Sequence, residues 1–174
     1  NGKPQIPFKG VGKHEPEGRK AAPPIRACHQ YGLDKREADW KAAFERVGLR
    51  DGMTLGMHHH MRNGDMVAVP MFEAIAAMGV KALVFAPSAL FPCHEPLIRH
   101  LESGVIHHIE GSMNGPLGEY CSYGNMKGMG VLRSHGGRYR AVQDGDVHID
   151  IAVIAAPTAD PFGNAHGLTG PAAC

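Results

Sequence analysis

The chain has 174 residues, 43% of them hydrophobic, so it can bury one sizeable core but is short for two ordinary domains. Its 18 basic and 17 acidic residues give a net charge of +1, which argues against nucleic acid or an anionic membrane as the main partner. No apolar stretch reaches the roughly 20 residues of a membrane-spanning helix, and the first residues do not resemble a signal peptide. We therefore expect a soluble, cytoplasmic protein that acts on small molecules or proteins.

Residues 1–35 combine five prolines with charges and glycines, a composition that cannot bury enough apolar surface to form its own core. We predict an extended Pro/Gly-rich arm over 1–35 and an α/β domain over 36–174. The last stretch, 162–174, is a Gly/Pro/Asn-rich loop without a closing element, so we expect the domain to be truncated at its C-terminal end.

Apolar residues at near-helical spacing, followed by Gly48, predict a first helix over 36–47. From residue 53 onward, short apolar runs alternate with helical patterns. Asp65 is the natural N-cap of a helix that Gly79 ends, and Pro70 is expected to disturb its first part. The predicted strands are 53–57, 82–86, 105–110, 129–132 and 148–156, and the predicted helical segments are 66–78, 95–102 and 137–144.

Near-continuous apolar strands linked by helices predict an open, mostly parallel sheet with helices on both faces. In such sheets, ligands bind beyond the carboxyl ends of the strands, where the N-termini of helices present free N–H groups. No GxGxxG or GxxxxGK[ST] phosphate loop occurs in the sequence. The loops after the strands are therefore where we look for a site.

The strongest signal is the loop that joins the first strand to the helix after Asp65. Its imidazole, guanidinium and amide groups suit an anion such as a carboxylate or thioester oxygen. Two alternatives remain: the histidines form a metal site, or they only cap the helix and fill polar gaps. Consecutive side chains on an extended segment cannot all face one ion, so we predict no metal. The candidate residues are His58, His59, His60, Arg62 and Asn63.

Three further polar, glycine-rich loops follow later strands, at 111–119, 134–137 and 160–165. Since the carboxyl ends of parallel strands share one edge, we expect the four loops to form a cleft. The candidate residues in these loops are Asn114, Gly115, His135 and Gly136.

Other nucleophiles and carboxylates are weaker candidates. Glu110 and Glu119 could act covalently, but single glutamates at a strand end or helix start usually face solvent or complement the helix dipole. Cys121 is expected to be a small core residue, and the scattered cysteines are expected to be reduced. No serine lies in a GxSxG turn, so a serine hydrolase is not expected.

Taken in order, five motifs resemble the N-terminal part of the citrate lyase alpha subunit family, the citrate CoA-transferases, within the CoA-transferase superfamily. The motifs are Asp51-Gly52-Met53-Thr54, the His58–His60 run with Arg62-Asn63-Gly64-Asp65, Gly115-Pro116-Leu117, Ser134-His135-Gly136-Gly137, and Asp160-Pro161-Phe162-Gly163-Asn164-Ala165. The likeness covers nearly the whole chain. It departs from CoA-transferases in general by placing histidines where a Gly-Gly-Phe-like turn usually stands.

The resemblance implies an enzyme that exchanges acetyl for citryl on the thioester of an acyl carrier protein and releases acetate. The implied partners are citrate and the beta and gamma (acyl carrier) subunits, in an oligomer. A CoA-like prosthetic group would be carried by the carrier protein, with no cofactor bound directly. Relatives use a glutamate nucleophile in the second half of the transferase, beyond Cys174, so the catalytic residue is not assigned to this chain.

Together with this resemblance, the donor groups lead us to expect that Arg62 and the histidines position the citrate carboxylate or thioester oxygen, while Asn114 and Gly115 border the acyl or pantetheine path. Three alternatives remain open. The acceptor could be a related acid such as citramalate, or the chain could be a non-catalytic assembly or carrier-docking domain. A sugar-phosphate isomerase of similar architecture is the third.

Overall fold

The computed structural model describes residues 32–58 and 61–168. The predicted arm lies almost wholly outside these residues, as do His59 and His60. The strands are β1 (Thr54–Met57), β2 (Leu83–Pro87), β3 (Ala89–Leu90), β4 (Ile106–Ile109), β5 (Ser112–Met113), β6 (Ile151–Val153), β7 (Thr158–Ala159) and β8 (Ala165–His166). The helices are α1 (Trp40–Val47), α2 (Ala68–Ala77), α3 (Ile98–Glu102), α4 (Pro116–Ser122) and α5 (His135–Asp144), with 3₁₀ helices at Arg62–Gly64 and Pro92–Leu97.

The central sheet has the order β4-β2-β1-β6, and all of its neighbouring strands are parallel. Phe85 of β2 packs edge-on against Phe72 of α2, with ring centroids 4.8 Å apart. The next residue, Ala86, points to the other face and packs with Ala141 of α5. Helices therefore cover both faces, and the predicted open, mostly parallel α/β fold is confirmed. No helix in the described part of the chain is long and apolar enough to cross a membrane.

Helix ends agree with the sequence where the signal is a local cap. The Asp65 carboxylate accepts hydrogen bonds from the Val67 and Ala68 N–H groups at 2.7 and 3.0 Å, as predicted for a cap. The helix itself begins at Ala68, two residues later than predicted, with Val67 at the N-cap position. Pro70 is the third residue of α2, where its missing N–H costs no helical hydrogen bond. Gly48 and Gly79 follow their helices with φ of 75° and 78°.

Other boundaries differ from the prediction for physical reasons. α1 begins at Trp40 rather than residue 36, because the Asp39 side chain accepts from the Ala42 N–H. The predicted helix 95–102 is a 3₁₀ helix until Leu97, since Pro96 has no N–H to give an α-helical bond. α5 begins earlier than predicted, at His135, because the Ser134 hydroxyl accepts from the Gly137 N–H at 3.0 Å.

Two predicted strands are wrong in extent. Among the described residues, segment 129–132 makes one isolated bridge, between Val131 and Glu110. Met129 and Leu132 are 82% and 65% exposed, so the segment has no buried face that would stabilise a strand. The predicted strand 148–156 is limited to β6. β6 pairs with β1 at three positions, from Leu55 opposite Ile151 to Met57 opposite Val153, where β1 ends.

We expect Asp65→Ala to lower the free energy of unfolding by about 2 kcal/mol, the upper end for loss of a helix cap. The Asp65 side chain is fully buried, and it also faces the buried His94 imidazole. Asp39→Ala removes the exposed cap of α1 and should cost about half as much. Urea unfolding of both variants checks this, and equal losses would contradict the added contribution of burial.

Candidate functional site

The loop after β1 turns sharply through two residues in the left-handed region. Met61 and Arg62 both have φ of 56°, although neither is glycine. Such backbone conformations cost about 1–3 kcal/mol each and persist only where the surroundings enforce them. This turn therefore lowers the folding stability of the protein, and it fixes the positions of the predicted site residues Arg62 and Asn63.

The segment that follows β2 holds this loop. The Asn63 side-chain oxygen accepts the Cys93 N–H at 2.9 Å, and the Cys93 Sγ lies 3.6 Å from the Arg62 carbonyl oxygen. The Arg62 guanidinium carbon is 5.8 Å from the centre of the Phe91 ring, within the range of a cation–π contact. Residues of the β1 loop are thus docked on Phe91 and Cys93.

The second predicted loop reaches the same segment. β5 pairs with β3, and both the backbone N–H and the side-chain amide of Asn114 donate to the Leu90 carbonyl, at 3.1 and 2.9 Å. Gly115 has φ of 68°, and a Cβ there would lie 2.9 Å from the Pro92 ring. The positive φ and the nearby Pro92 ring therefore both exclude a side chain at Gly115. The Arg62 loop and the Asn114–Gly115 loop converge on residues 90–93.

A buried polar pair lies beneath this junction. The His94 side chain is 1% exposed, and its Nε2 is 3.7 Å from the Asp65 Oδ2. Its Nδ1 is 2.8 Å from the Phe91 nitrogen, which can only donate, so Nδ1 accepts and the ring proton of the neutral form lies on Nε2, toward Asp65. His94 thereby joins the start of α2 to Phe91.

Sequence reasoning missed the segment Phe91-Pro92-Cys93-His94, although the rule that selected the other loops applies to it. It follows β2 and the two-residue β3, at the same carboxyl edge of the central sheet. Burial raises the pKa of the Cys93 thiol, so Cys93 is a thiol rather than a thiolate at neutral pH. Burial also raises the pKa of Cys121, which packs against the edge of the core as expected.

The third predicted loop supplies the first turn of α5, where His135 and Gly136 are exposed. The Arg138 guanidinium, one turn further, donates to the Ala86 and Pro87 carbonyls at 2.7 and 3.1 Å. Its burial lowers the pKa of Arg138, with Arg133 a smaller cause. Arg138 therefore fixes the start of α5 at the end of β2, beside the first two loops.

The carboxylate of Glu110, one of the two candidate glutamates, contacts two basic side chains. Arg133 forms an ion pair with its Oε2, and the His108 Nε2 lies 3.5 Å from its Oε1. Glu119 is exposed in the first turn of α4, where a negative charge complements the helix dipole. Neither geometry marks a nucleophile. Within residues 32–58 and 61–168, no three His, Cys, Asp or Glu side chains are grouped to hold a metal ion.

The fourth loop forms the β7–β8 hairpin. The Asp160 carboxylate accepts from the Asn164 side-chain amide at 2.7 Å and from the Asn164 and Phe162 N–H groups. The Asn164 amide is the main cause that lowers the pKa of Asp160. The Lys35 N–H donates to the Pro161 carbonyl at 2.6 Å, so the hairpin lies against the start of the described chain. The contacts to residues 90–93 come from the Arg62 loop and the Asn114–Gly115 loop.

Comparison with known proteins gives consistent matches. The family model "Citrate lyase, alpha subunit (CitF)" matches residues 34–174. The citrate lyase alpha chain of Escherichia coli K12 is 44% identical over 138 residues, which are 79% of this chain and 27% of that protein. The alpha chain of Klebsiella pneumoniae is 42% identical over 135 residues, again 27% of its length.

A crystal structure from Streptococcus mutans, described as the alpha subunit of citrate lyase in complex with citrate, has a similar fold. It superposes with a TM-score of 0.78 and 39% sequence identity, over 91% of this chain and 30% of the other. The chain thus spans about 27% of the length of the curated relatives it matches. Given the family match over most of the chain, the fold and these identities, the chain belongs to the citrate lyase alpha subunit family.

Proposed function

We propose that this chain forms the substrate-loop part of a citrate CoA-transferase, which exchanges acetyl for citryl on an acyl carrier protein and releases acetate. The observation that carries the proposal is the convergence of the Arg62 loop and the Asn114–Gly115 loop on residues 90–93. Both loops lie at the carboxyl edge of a parallel sheet, where such folds bind ligands. The Streptococcus mutans relative is described with citrate bound.

Citrate carries three carboxylates, so its site must supply positive charge and N–H donors. Arg62 is an exposed, permanently charged donor in the β1 loop. In the proposal, Arg62 with His58, His59 and His60 positions a citrate carboxylate or the thioester oxygen. Donors held in place before the reaction stabilise the oxyanion of the tetrahedral intermediate without reorganisation.

The Asn114–Gly115 turn would border the path of the acyl or pantetheine group. The absence of a side chain at Gly115 lets its backbone lie against the Pro92 ring. His135 and Gly136 would form the rim of the cleft at the start of α5, where the exposed imidazole can reach an anion.

The covalent step is placed outside this chain. By resemblance, a glutamate of the full-length subunit, beyond Cys174, attacks the thioester carbonyl to form an acyl-glutamyl anhydride and releases the carrier thiolate. The carrier would bring its own CoA-like prosthetic thiol as substrate. The proposed setting is a cytoplasmic citrate lyase oligomer with the beta and gamma subunits.

Ligand selectivity of the full-length subunit tests the substrate class. By calorimetry, we expect citrate to bind at least about tenfold more tightly than citramalate, since one fewer carboxylate removes a charge-assisted bond of about 1.5–3 kcal/mol. A sugar phosphate should not compete. Equal affinity for the two acids would remove citrate specificity, and tighter binding of the sugar phosphate would favour an isomerase instead.

A further inference from the structure

We propose that Asn63 and His94 are positioning residues, which lock the strained Met61–Arg62 turn onto Phe91 so that the Arg62 guanidinium is already in place when the acceptor acid binds. The proposal rests on the proposed function, because it names what holds the residue that we expect to contact citrate or the thioester. Neither side chain is assigned to chemistry.

A closed cycle of contacts runs from Arg62 through Phe91 and His94 to Asp65, which is close to Arg62 in sequence. Arg62 lies over the Phe91 ring, and the Phe91 N–H donates to the His94 Nδ1 at 2.8 Å. The His94 Nε2 faces Asp65 at 3.7 Å, and Asp65 follows Arg62 by three residues. Loss of any one of these contacts therefore affects both the Met61–Arg62 turn and the Phe91 side chain over which the Arg62 guanidinium lies.

Asn63 closes the same junction from the other side. Its Oδ1 accepts the Cys93 N–H across 30 residues of sequence, at 2.9 Å. The Cys93 Sγ lies near the Arg62 carbonyl, so a single residue of the β2 segment contacts two consecutive residues of the turn. Two local bonds also close the turn, from the Gly64 and Asp65 N–H groups to the Met61 and Arg62 carbonyls at 2.9 and 3.2 Å. A φ of 56° is still unfavourable for methionine and arginine, so without the Cys93 contacts we expect both residues to relax toward ordinary backbone angles.

The different burial of these side chains distinguishes a role in global stability from a role in positioning Arg62. Asp65 and His94 are almost completely buried, so they also stabilise the fold. Asn63 is exposed, and its replacement should cost little global stability. Asn63 is therefore the cleaner probe, and His94 is the second.

The test is a double-mutant cycle in the full-length subunit, with acetyl-to-citryl exchange as readout. We expect Asn63→Ala to lower kcat/KM for citrate by about tenfold, and to have less than about a twofold effect when Arg62 is already alanine. His94→Leu should show the same non-additivity. A purely structural role, or independent contact of Asn63 with substrate, would give additive losses and overturn the proposal.

Hydrogen exchange gives a readout that does not depend on catalysis. The Cys93 amide should exchange at least about tenfold faster in Asn63→Ala, while Asn63→Asp, which keeps the acceptor oxygen, should restore its protection. If the Cys93 amide is equally protected in Asn63→Ala and in wild type, the proposed positioning role of Asn63 is wrong, even if activity falls. If wild-type subunit shows no exchange of acetyl for citryl, the proposed function fails separately, and amide protection still decides whether Asn63 fixes the turn.

Discussion

Full-length subunit carrying Arg62→Ala is expected to exchange acetyl for citryl at least about tenfold more slowly than wild type, a loss of about 1.4 kcal/mol of transition-state stabilisation. The guanidinium is exposed at the carboxyl edge of the sheet, and the structure holds its backbone at φ of 56° to keep it there. Removing a charge that contacts a carboxylate or developing oxyanion costs far more than removing one that faces water.

Arg50→Ala is the matched control, because it removes the same exposed charge from the chain just before β1, at the amino edge of the sheet. It should leave exchange within about twofold of wild type, as surface substitutions away from special features usually do. Unchanged activity in Arg62→Ala, or an equal loss in both variants, would remove Arg62 from the site.

Gly111→Ala is expected to have the largest effect on stability, at about 3 kcal/mol or more, the upper part of the range for overpacking. Gly111 is buried after β4, and a Cβ there would collide with the Pro87 carbonyl oxygen at the end of β2. That oxygen is backbone and cannot rotate away. It also accepts from Arg138, so the strain would reach the start of α5.

Gly136→Ala provides the opposite case for the same chemical change. A Cβ at Gly136 meets nothing within 4 Å, and the residue lies in α5. Alanine there should raise the free energy of unfolding by up to about 1 kcal/mol, since glycine is the poorer helix former. Thermal or urea unfolding of both variants checks the pair, and similar shifts in both would contradict the packing described at Gly111.

Local signals in the sequence were enough for most of the fold. Gly48 and Gly79 were predicted correctly as the residues after helix ends, because a cap acts through the residues beside it, whereas α2 starts two residues after the position predicted from Asp65. Parallel strands followed from their apolar runs. Strand extent was harder to predict, because β6 pairs with β1, almost 100 residues away in sequence. Val131 forms an isolated bridge with Glu110 rather than part of a strand.

The site was only half predictable for the same reason. Arg62 and Asn114 were visible as polar residues after strands. Their attachment to one segment, Arg62 to Phe91 and Cys93 and Asn114 to Leu90, depends on contacts across 24 to 31 residues of sequence. His94 reads in sequence as one more histidine. Its burial against Asp65 is a property of the folded junction alone.

The most direct test of the account is acetyl-to-citryl exchange by the full-length subunit, with an acetyl-thioester acyl carrier protein and labelled citrate. We expect acetate to be released in step with the appearance of label on the carrier. We also expect that residues 1–174 alone do not support the exchange, since the glutamate that the resemblance implies as nucleophile lies beyond Cys174. Exchange by residues 1–174 alone would contradict that placement and make Glu110 and Glu119 the first residues to test. Failure of the full-length subunit would contradict the citrate CoA-transferase function itself.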